Sequence, residues 1–406
     1  MHLIQMKNIL KLELTLLYLL IVSLPSLEAP KNIFLVLFVI VASFRQINIS
    51  SLKDWGLWDW IFLSIIGSAL LSSAFPGIIG HEWKGFRVIL TYIGVGWLVY
   101  RSRYSEKQIS LIFILIILST IPPLLYGCWQ YLISHSKHDL QLHSVGHVNH
   151  SAIYLTIIFG ASLAYTIATW KLSSTKSRLT FFLLSTTFYS SLIIGESRAA
   201  LGVGFLLALA ISILLTKNLK IKLAIIGSII GISICAFFLN AHVIQKEIDN
   251  QKANNVLSSR DKVWNISIEA ARFHPLLGVG LDNWGAITPE EIKKSVEARG
   301  ETYDPTKYFF AGHSHNLFLT VLVERGFIGL FVILLFMFAW LRHLIKTFHL
   351  TQMSAQASYL WGGAFSAWLV TFGVGTVNTT LHHEHGILAC LLLGLYLSYS
   401  RNESIK

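Results

Sequence analysis

Apolar runs long enough to cross a bilayer recur along most of the chain, and polar residues collect in the gaps between them. Apolar and polar positions do not alternate with a strand period, and in lipid only helices and closed barrels satisfy every backbone group. The runs are therefore predicted to be helices. Twelve are expected, over 9–26, 31–45, 57–75, 86–100, 108–130, 150–170, 179–195, 199–216, 222–241, 315–341, 355–376 and 386–400. One long polar segment, 242–314, interrupts the series, with its own amphipathic stretch inside. The reading is an all-α, polytopic integral membrane protein: helices 1–9 over 1–241, an outer loop over 242–314, and helices 10–12 over 315–406. The first run ends in SLPSLEAP, which lacks a small-x-small cleavage pattern, so it is expected to remain as a span. No internal repeat of the kind found in many secondary transporters is visible.

Composition agrees with this class. Of 406 residues, 54% are hydrophobic and 13% charged, against about 25% charged in an ordinary soluble domain. Charge also orients the spans. With twelve spans both termini share a side, and that side holds seventeen cations, Lys7, Lys11, Arg45, Lys53, Arg101, Arg103, Lys107, Lys171, Lys176, Arg178, Lys217, Lys220, Lys222, Arg342, Lys346, Arg401 and Lys406. The short opposite loops hold five, Lys31, Lys84, Arg87, Lys137 and Arg198. The positive-inside rule makes the termini cytoplasmic and places the nearly neutral 242–312 segment outside. The net charge of +11 then faces anionic lipid rather than nucleic acid, since no basic stripe with interleaved aromatics occurs. Most Trp and Tyr fall near span ends, as an interfacial belt would. Cys128, Cys235 and Cys390 lie inside apolar runs and suggest neither a disulfide framework nor a thiolate metal site.

Polar chemistry collects on the outer face. Thirteen of sixteen histidines lie there: His81, His135, His138, His143, His147, His150, His242, His274, His313, His315, His382, His383 and His385. Histidine exchanges protons near neutral pH, although a neutral imidazole is also a tolerated polar filler at an interface. Three places stand out because an outer-side helix begins at each. In GESRAALG, 195–202, Ser197 is a candidate N-cap and Arg198 opens the span; a cation there opposes the helix dipole but suits a phosphate, or pairs with Glu196. In SSRDKVWNISIEAARFHPLLGVGLDNW, 258–284, Ser258 or Ser259 caps a helix whose Val263, Trp264, Ile266, Ile268 and Ala271 fall largely on one face, with Pro275 and Gly278 as its stop. Arg260 sits in its first turn, and two arginines at two helix starts suit a pyrophosphate. In GHSHNLFLTVLVERGFIG, 312–329, Ser314 is expected to cap the tenth span, placing His315 and Asn316 in its first turn, with His313 two residues away. A helix N-terminus favours neutral imidazole, the form that can accept a proton.

A fourth stretch, LHHEHG at 381–386, offers His382, His383, Glu384 and His385. Adjacent residues on one turn point apart and the usual zinc spacings are missing, so an interfacial polar turn is expected, and no metal.

At these residues the chain resembles the bacterial O-antigen ligase family, which shares its membrane domain with O-antigen polymerases. That family's pattern is His-Asn, nine residues, Gly, two residues, Gly, and here His315-Asn316 precede 317–325, then Gly326, Phe327, Ile328 and Gly329. The arginines of SRAALG and SSRDKVW resemble the family's two essential arginines. The resemblance implies an architecture like that of GT-C glycosyltransferases, and transfer of a finished polysaccharide from undecaprenyl pyrophosphate to a lipid A-core sugar. The reaction would take place on the periplasmic face of a bacterial inner membrane, without cofactor or metal. It assigns catalysis to His315, His313, Arg198 and Arg260, and substrate contacts to Arg198, Arg260, Asn316 and Ser197. Inner-membrane lipids would surround the bundle. A polymerase on the same fold, or a transporter or flippase for a lipid-linked sugar, are the competing readings. The last predicts ionisable residues and broken helices at the bilayer midplane.

Overall fold

The computed structural model of the protein describes residues 2–49, 54–195, 197–239 and 259–403. Glu196, His242 and Ser258 lie outside them. Among the described residues every regular element is helical. The chain runs through α1 (His2–Ser23), α2 (Glu28–Ile49), α3 (Leu57–Ala74), α4 (Glu82–Arg101), α5 (Glu106–Ser119), α6 (Ile121–Leu132), α7 (Val148–Thr169) and α8 (Thr175–Ile194). It continues through α9 (Arg198–Leu215), α10 (Leu219–Leu239), α11 (Arg260–Phe273), α12 (Pro289–Glu297), α13 (Leu317–Lys346), α14 (Ala355–Gly373) and α15 (His383–Glu403). Among the described residues, six stretches are long and apolar enough to cross a membrane: Glu28–Ile49, Leu57–Ala74, Glu106–Leu132, Val148–Thr169, Arg198–Leu215 and Leu317–Lys346. This fits a polytopic membrane protein.

Every expected run coincides with helix, but three run differently from expectation. The 108–130 run divides at Thr120 into α5 and α6, because Pro122 and Pro123 open a new first turn, where a missing N–H costs nothing. The last helix begins at His383, so His383, Glu384 and His385 lie in its first turn rather than before it. The 315–341 run becomes the 30-residue α13, interrupted at Gly326, whose φ of 62° and ψ of −165° are not helical. At 1.5 Å per residue α13 is about 45 Å long, more than the ~30 Å hydrocarbon layer needs. Several starts follow ordinary capping chemistry. Ser105, Ser174 and Ser354 each accept the backbone N–H three residues on, at the heads of α5, α8 and α14.

The core centres on α7, buried from Ser151 through Ala164, with α8, α9, α14 and α15 around it. α15 is buried along 384–400 and packs on α4. There a Cβ at Gly394 would stand 2.4 Å from the Gly96 carbonyl oxygen, so the helices approach backbone to backbone. Peripheral α2 turns Ile33, Val36, Ile40 and Phe44 outward, a stripe suited to lipid. Aromatic residues are not confined to a belt: Trp340, Tyr104, Tyr154, Tyr189 and Tyr396 are fully buried core.

The helices are also less uniformly apolar than expected. Glu13 of α1, 0% exposed, accepts hydrogen bonds from Arg45 Nη2 at 2.9 Å, the Ser102 hydroxyl at 2.7 Å and the Tyr104 hydroxyl at 2.6 Å. Asp59 of α3 accepts from Arg101 Nη1 and Trp97 Nε1, both at 2.7 Å. Lys31 of α2 pairs with Glu384 of α15. Buried charges of this kind persist only when paired, and each pair ties one helix to another.

Candidate active site

The approach to α13 is built differently from the capping expected of it. Asn316, not Ser314, caps the helix: its Oδ1 accepts the backbone N–H of Phe318 at 2.9 Å and Leu319 at 3.0 Å, while its Nδ2 donates to the Thr376 carbonyl at 2.8 Å. The Ser314 hydroxyl is occupied elsewhere, donating to the Asn316 carbonyl at 2.7 Å and lying 2.5 Å from the Thr320 hydroxyl. His315 consequently precedes the helix, in the left-handed region at φ 51°. A non-glycine residue adopts that conformation only where its surroundings impose it. Here the Trp264 indole N–H of α11 holds the adjacent Ser314 carbonyl at 3.1 Å.

A second interaction locks the loop to α13. At the break, Phe327 N donates to the Pro275 carbonyl at 2.7 Å and Ile328 N to that of Leu276 at 3.3 Å. In return Val279 N reaches the Val323 carbonyl at 2.8 Å and Gly280 N that of Glu324 at 3.2 Å. The Ser72 hydroxyl, near the end of α3, bonds the carbonyls of Leu277 and Glu324, and Ile78 N reaches the Val279 carbonyl at 2.9 Å. The first glycine of the sequence pattern thus has a physical reason. Gly326 breaks the helix where the loop approaches, and a Cβ there would lie 2.3 Å from the Leu276 carbonyl.

Above this lock the loop carries its own small core. Val263, Ile266 and Ala270 of α11 pack with Val279, Trp284, Ile287, Ile292, Val296 and Val323. The amphipathic reading of α11 holds for Val263, Ile266 and Ala271; Ile268 is instead exposed, because the buried face runs through 263, 266, 267, 270 and 271. Ser197 and Ser259 occupy the positions before α9 and α11, yet neither side chain makes a capping hydrogen bond, and Ser259 is itself left-handed at φ 60°. Arg198 and Arg260 are the first helical residues, as expected.

These elements bring the expected residues together. The rings of His313 and His315 are 4.1 Å apart. Burial holds the His315 imidazole down to a pKa of about 4, with His313, Arg260 and His147 adding to the effect. Burial comes first for His313 as well, followed by His147 and His383. Arg260 is pushed below its ordinary value by burial and then by the neighbouring Arg198 guanidinium. The helix-dipole account expected for His315 therefore gives way to desolvation and nearby positive groups. The imidazole is neutral at pH 7, and its Nδ1 is buried without a hydrogen-bond partner among the described residues. A partly buried Arg260 beside the exposed Arg198 and neutral imidazoles can receive a polyanion.

Two openings meet this cluster. A cavity of about 310 Å³ is bounded by Tyr92, His150, Asp282, His313, Glu324 and His383, with Lys84 Nζ 2.8 Å from Asp282 Oδ2 at its rim. Arg198 stands at an apolar groove of about 870 Å³ formed by Leu201, Phe205, Ile230 and Ile234 of α9 and α10. Sequence reasoning treated His147 and His150 as background, whereas the His150 ring lies 4.7 Å from that of His382 and 5.0 Å from that of His383. Their spacing of three at the head of a buried helix was the available signal. Nor was any role foreseen for Arg325. It is 2% exposed and hydrogen-bonded to Ser68.

Comparison with known proteins bears on the same region. Residues 179–334 match the family model described as O-antigen ligase, a stretch that contains Arg198, Arg260, His313, His315 and both glycines of the pattern. Comparison with curated proteins finds no match. Through the segment that builds this cluster, the chain is similar to the O-antigen ligase family.

Proposed function

We propose that the protein is a polysaccharide ligase of the bacterial inner membrane, with twelve spans in a GT-C-like arrangement, cytoplasmic termini and a periplasmic site. Its donor is an undecaprenyl-pyrophosphate-linked O-antigen polysaccharide and its acceptor a lipid A-core sugar hydroxyl. The observation that carries this reading is the meeting of Arg198, Arg260 and neutral His315 from three distant stretches of chain. The apolar groove ending at Arg198 suits a polyprenyl chain, and the cavity beside His313 suits a sugar.

His315 takes the proton of the acceptor hydroxyl; the oxygen attacks the anomeric carbon in line, and the bond from that carbon to the carrier pyrophosphate breaks. The charge that develops on the departing pyrophosphate falls to Arg198 and Arg260, preorganised in a partly desolvated pocket. Binding that anion also offsets the positive groups that depress His315, so the base strengthens once the donor is present. His313, in ring contact with His315, orients the base or the acceptor. Ser197 and Asn316, placed before α9 and α13, contact the substrate, and Asn316 also caps its helix. The domain reading follows: 1–241 and 315–406 form the membrane body, and 242–314 is its outer cover. A transport reading places its broken helix at the bilayer midplane. Here the break at Gly326 is hydrogen-bonded by the loop and level with the end of α3, which favours transfer.

Reconstituted protein supplied with the carrier-linked polysaccharide and lipid A-core should yield a higher-mass lipopolysaccharide. His315→Ala should abolish this at unchanged protein level, and Arg198→Lys should fail as well, since a point charge cannot replace a fork. A longer carrier-linked chain in place of lipopolysaccharide would assign the protein to polymerisation instead.

A further inference from the structure

We infer that His150, His382 and His383 form a binding site for one divalent transition-metal ion of the zinc class, clipping the head of α7 to the head of α15. One nitrogen from each of the three lies within 4.8 Å of the others, and the His382 and His383 rings are 4.3 Å apart. Zinc–imidazole bonds of about 2.0–2.1 Å place neighbouring tetrahedral ligands ~3.3 Å apart, a contraction within reach of side-chain rotation. The His382 ring is already set for the task. Its Nε2 lies 3.0 Å from the Thr379 carbonyl oxygen, which can only accept, so Nε2 carries the hydrogen and Nδ1 the lone pair.

A separate observation says that this cluster lacks a partner. His385 is 1% exposed, and neither of its ring nitrogens has a hydrogen-bond partner among the described residues. Its ring stands 4.9 Å from that of His382 and 5.4 Å from that of His150. A buried imidazole without hydrogen bonds is costly. The nearest carboxylate on the same turn, Glu384, is committed to Lys31. What remains is a crowd of imidazoles, three of them with nitrogens within 4.8 Å of one another, an environment that a Lewis acid relieves. Imidazole nitrogens select zinc-class ions over magnesium or calcium, which want oxygen. Sequence spacing alone did not show the site: His382 precedes the helix and His383 is left-handed at φ 49°, which lets the two rings approach, and the ligand that completes the set comes from α7. His150, His382 and His383 all border the cavity beside His313, leaving a fourth coordination position on that side.

Metal binding here does not rest on the transferase reading and is tested without it. The full chain, purified in detergent with an affinity tag free of histidine, is stripped with chelator and titrated with Zn²⁺, and in parallel with Co²⁺ as a visible probe. One ion per chain is expected, with d–d absorption of nitrogen-ligated Co²⁺ that Zn²⁺ displaces, and a higher unfolding temperature after reloading. His150→Ala, His382→Ala and His383→Ala should each weaken binding by more than about 100-fold, beyond the 10–100-fold usual for an outer-shell change. His138→Ala, on an exposed loop, should bind as the parent does. Substoichiometric uptake by the parent chain, or ligand variants that bind as tightly as it does, overturns the inference. If a variant fails to fold, the parent titration alone decides.

Discussion

Replacing Gly326 by alanine tests whether the lock between loop and α13 holds the site together. The backbone there, at φ 62° and ψ −165°, belongs to a region open essentially to glycine, and forcing another residue into it costs about 1–3 kcal/mol. The added Cβ would sit 2.3 Å from the Leu276 carbonyl carbon and oxygen and 2.6 Å from Leu277 N, so the loop backbone must retreat. Retreat breaks the 2.7 Å and 3.3 Å hydrogen bonds from Phe327 and Ile328, at about 1 kcal/mol each. The sum is about 3–5 kcal/mol, which favours separation of the loop from α13 by roughly a hundred- to several-thousand-fold. Because α11 continues from the same loop, Arg260 should leave Arg198 and His315. Thermal unfolding in detergent should fall by several degrees and polysaccharide transfer should drop at least tenfold. Gly227→Ala, where a Cβ meets nothing within 4 Å, should change neither. A Gly326→Ala protein that melts and transfers like its parent would refute the reasoning.

Four further outcomes are expected. His315, held to a pKa of about 4 chiefly by burial, should give kcat/KM an acid limb near that value; a limb at or above the ordinary 6.5 contradicts its assignment as the base. The same depression means that the unfolded chain binds a proton between pH 6.5 and 4 that the folded one refuses. The stability contribution is therefore complete above 6.5 and is lost as pH falls toward 4, which denaturation series across that window will show. Asn316→Ala removes the cap on Phe318 and Leu319 and the tie to Thr376; it should cost about 0.5–2 kcal/mol in chemical denaturation. Glu13→Ala leaves Arg45, 5% exposed, without its carboxylate. A loss of about 3–5 kcal/mol is expected by the same measurement, far from the site and with little change in transfer by the protein that stays folded.

Much of this arrangement can be read from sequence, for identifiable reasons. Spans announce themselves because bilayer thickness imposes a length and an apolar composition, so each expected run coincides with helix. Arg198 and Arg260 are visible because a cation at a helix start contradicts the local electrostatics and so asks for another explanation. His315 is visible through its spacing to Gly326. Its left-handed backbone is not, since that depends on Trp264 and Ser314 meeting across fifty residues. The break at Gly326 is hidden because the run 317–341 is apolar on both sides of it, and only the tertiary approach of Pro275 and Leu276 decides where the helix yields. His150 escaped notice because its neighbours, His382 and His383, are supplied by another helix. Asp59 and Lys31 were hidden in the same way: one charge in an apolar run reads as an exception until its partner on another helix is known.

An interrupted helix exposes N–H and C=O groups that lipid cannot satisfy, and here residues 275–280 supply the missing partners. Neither piece is therefore self-sufficient. Without the loop, α13 would have to straighten, and without the interruption the loop would have nothing to grip. Chimeras that exchange the outer segment between relatives should succeed only when residues 323–328 travel with it, so the exchangeable unit of specificity is the loop together with the first turns of the span that follows.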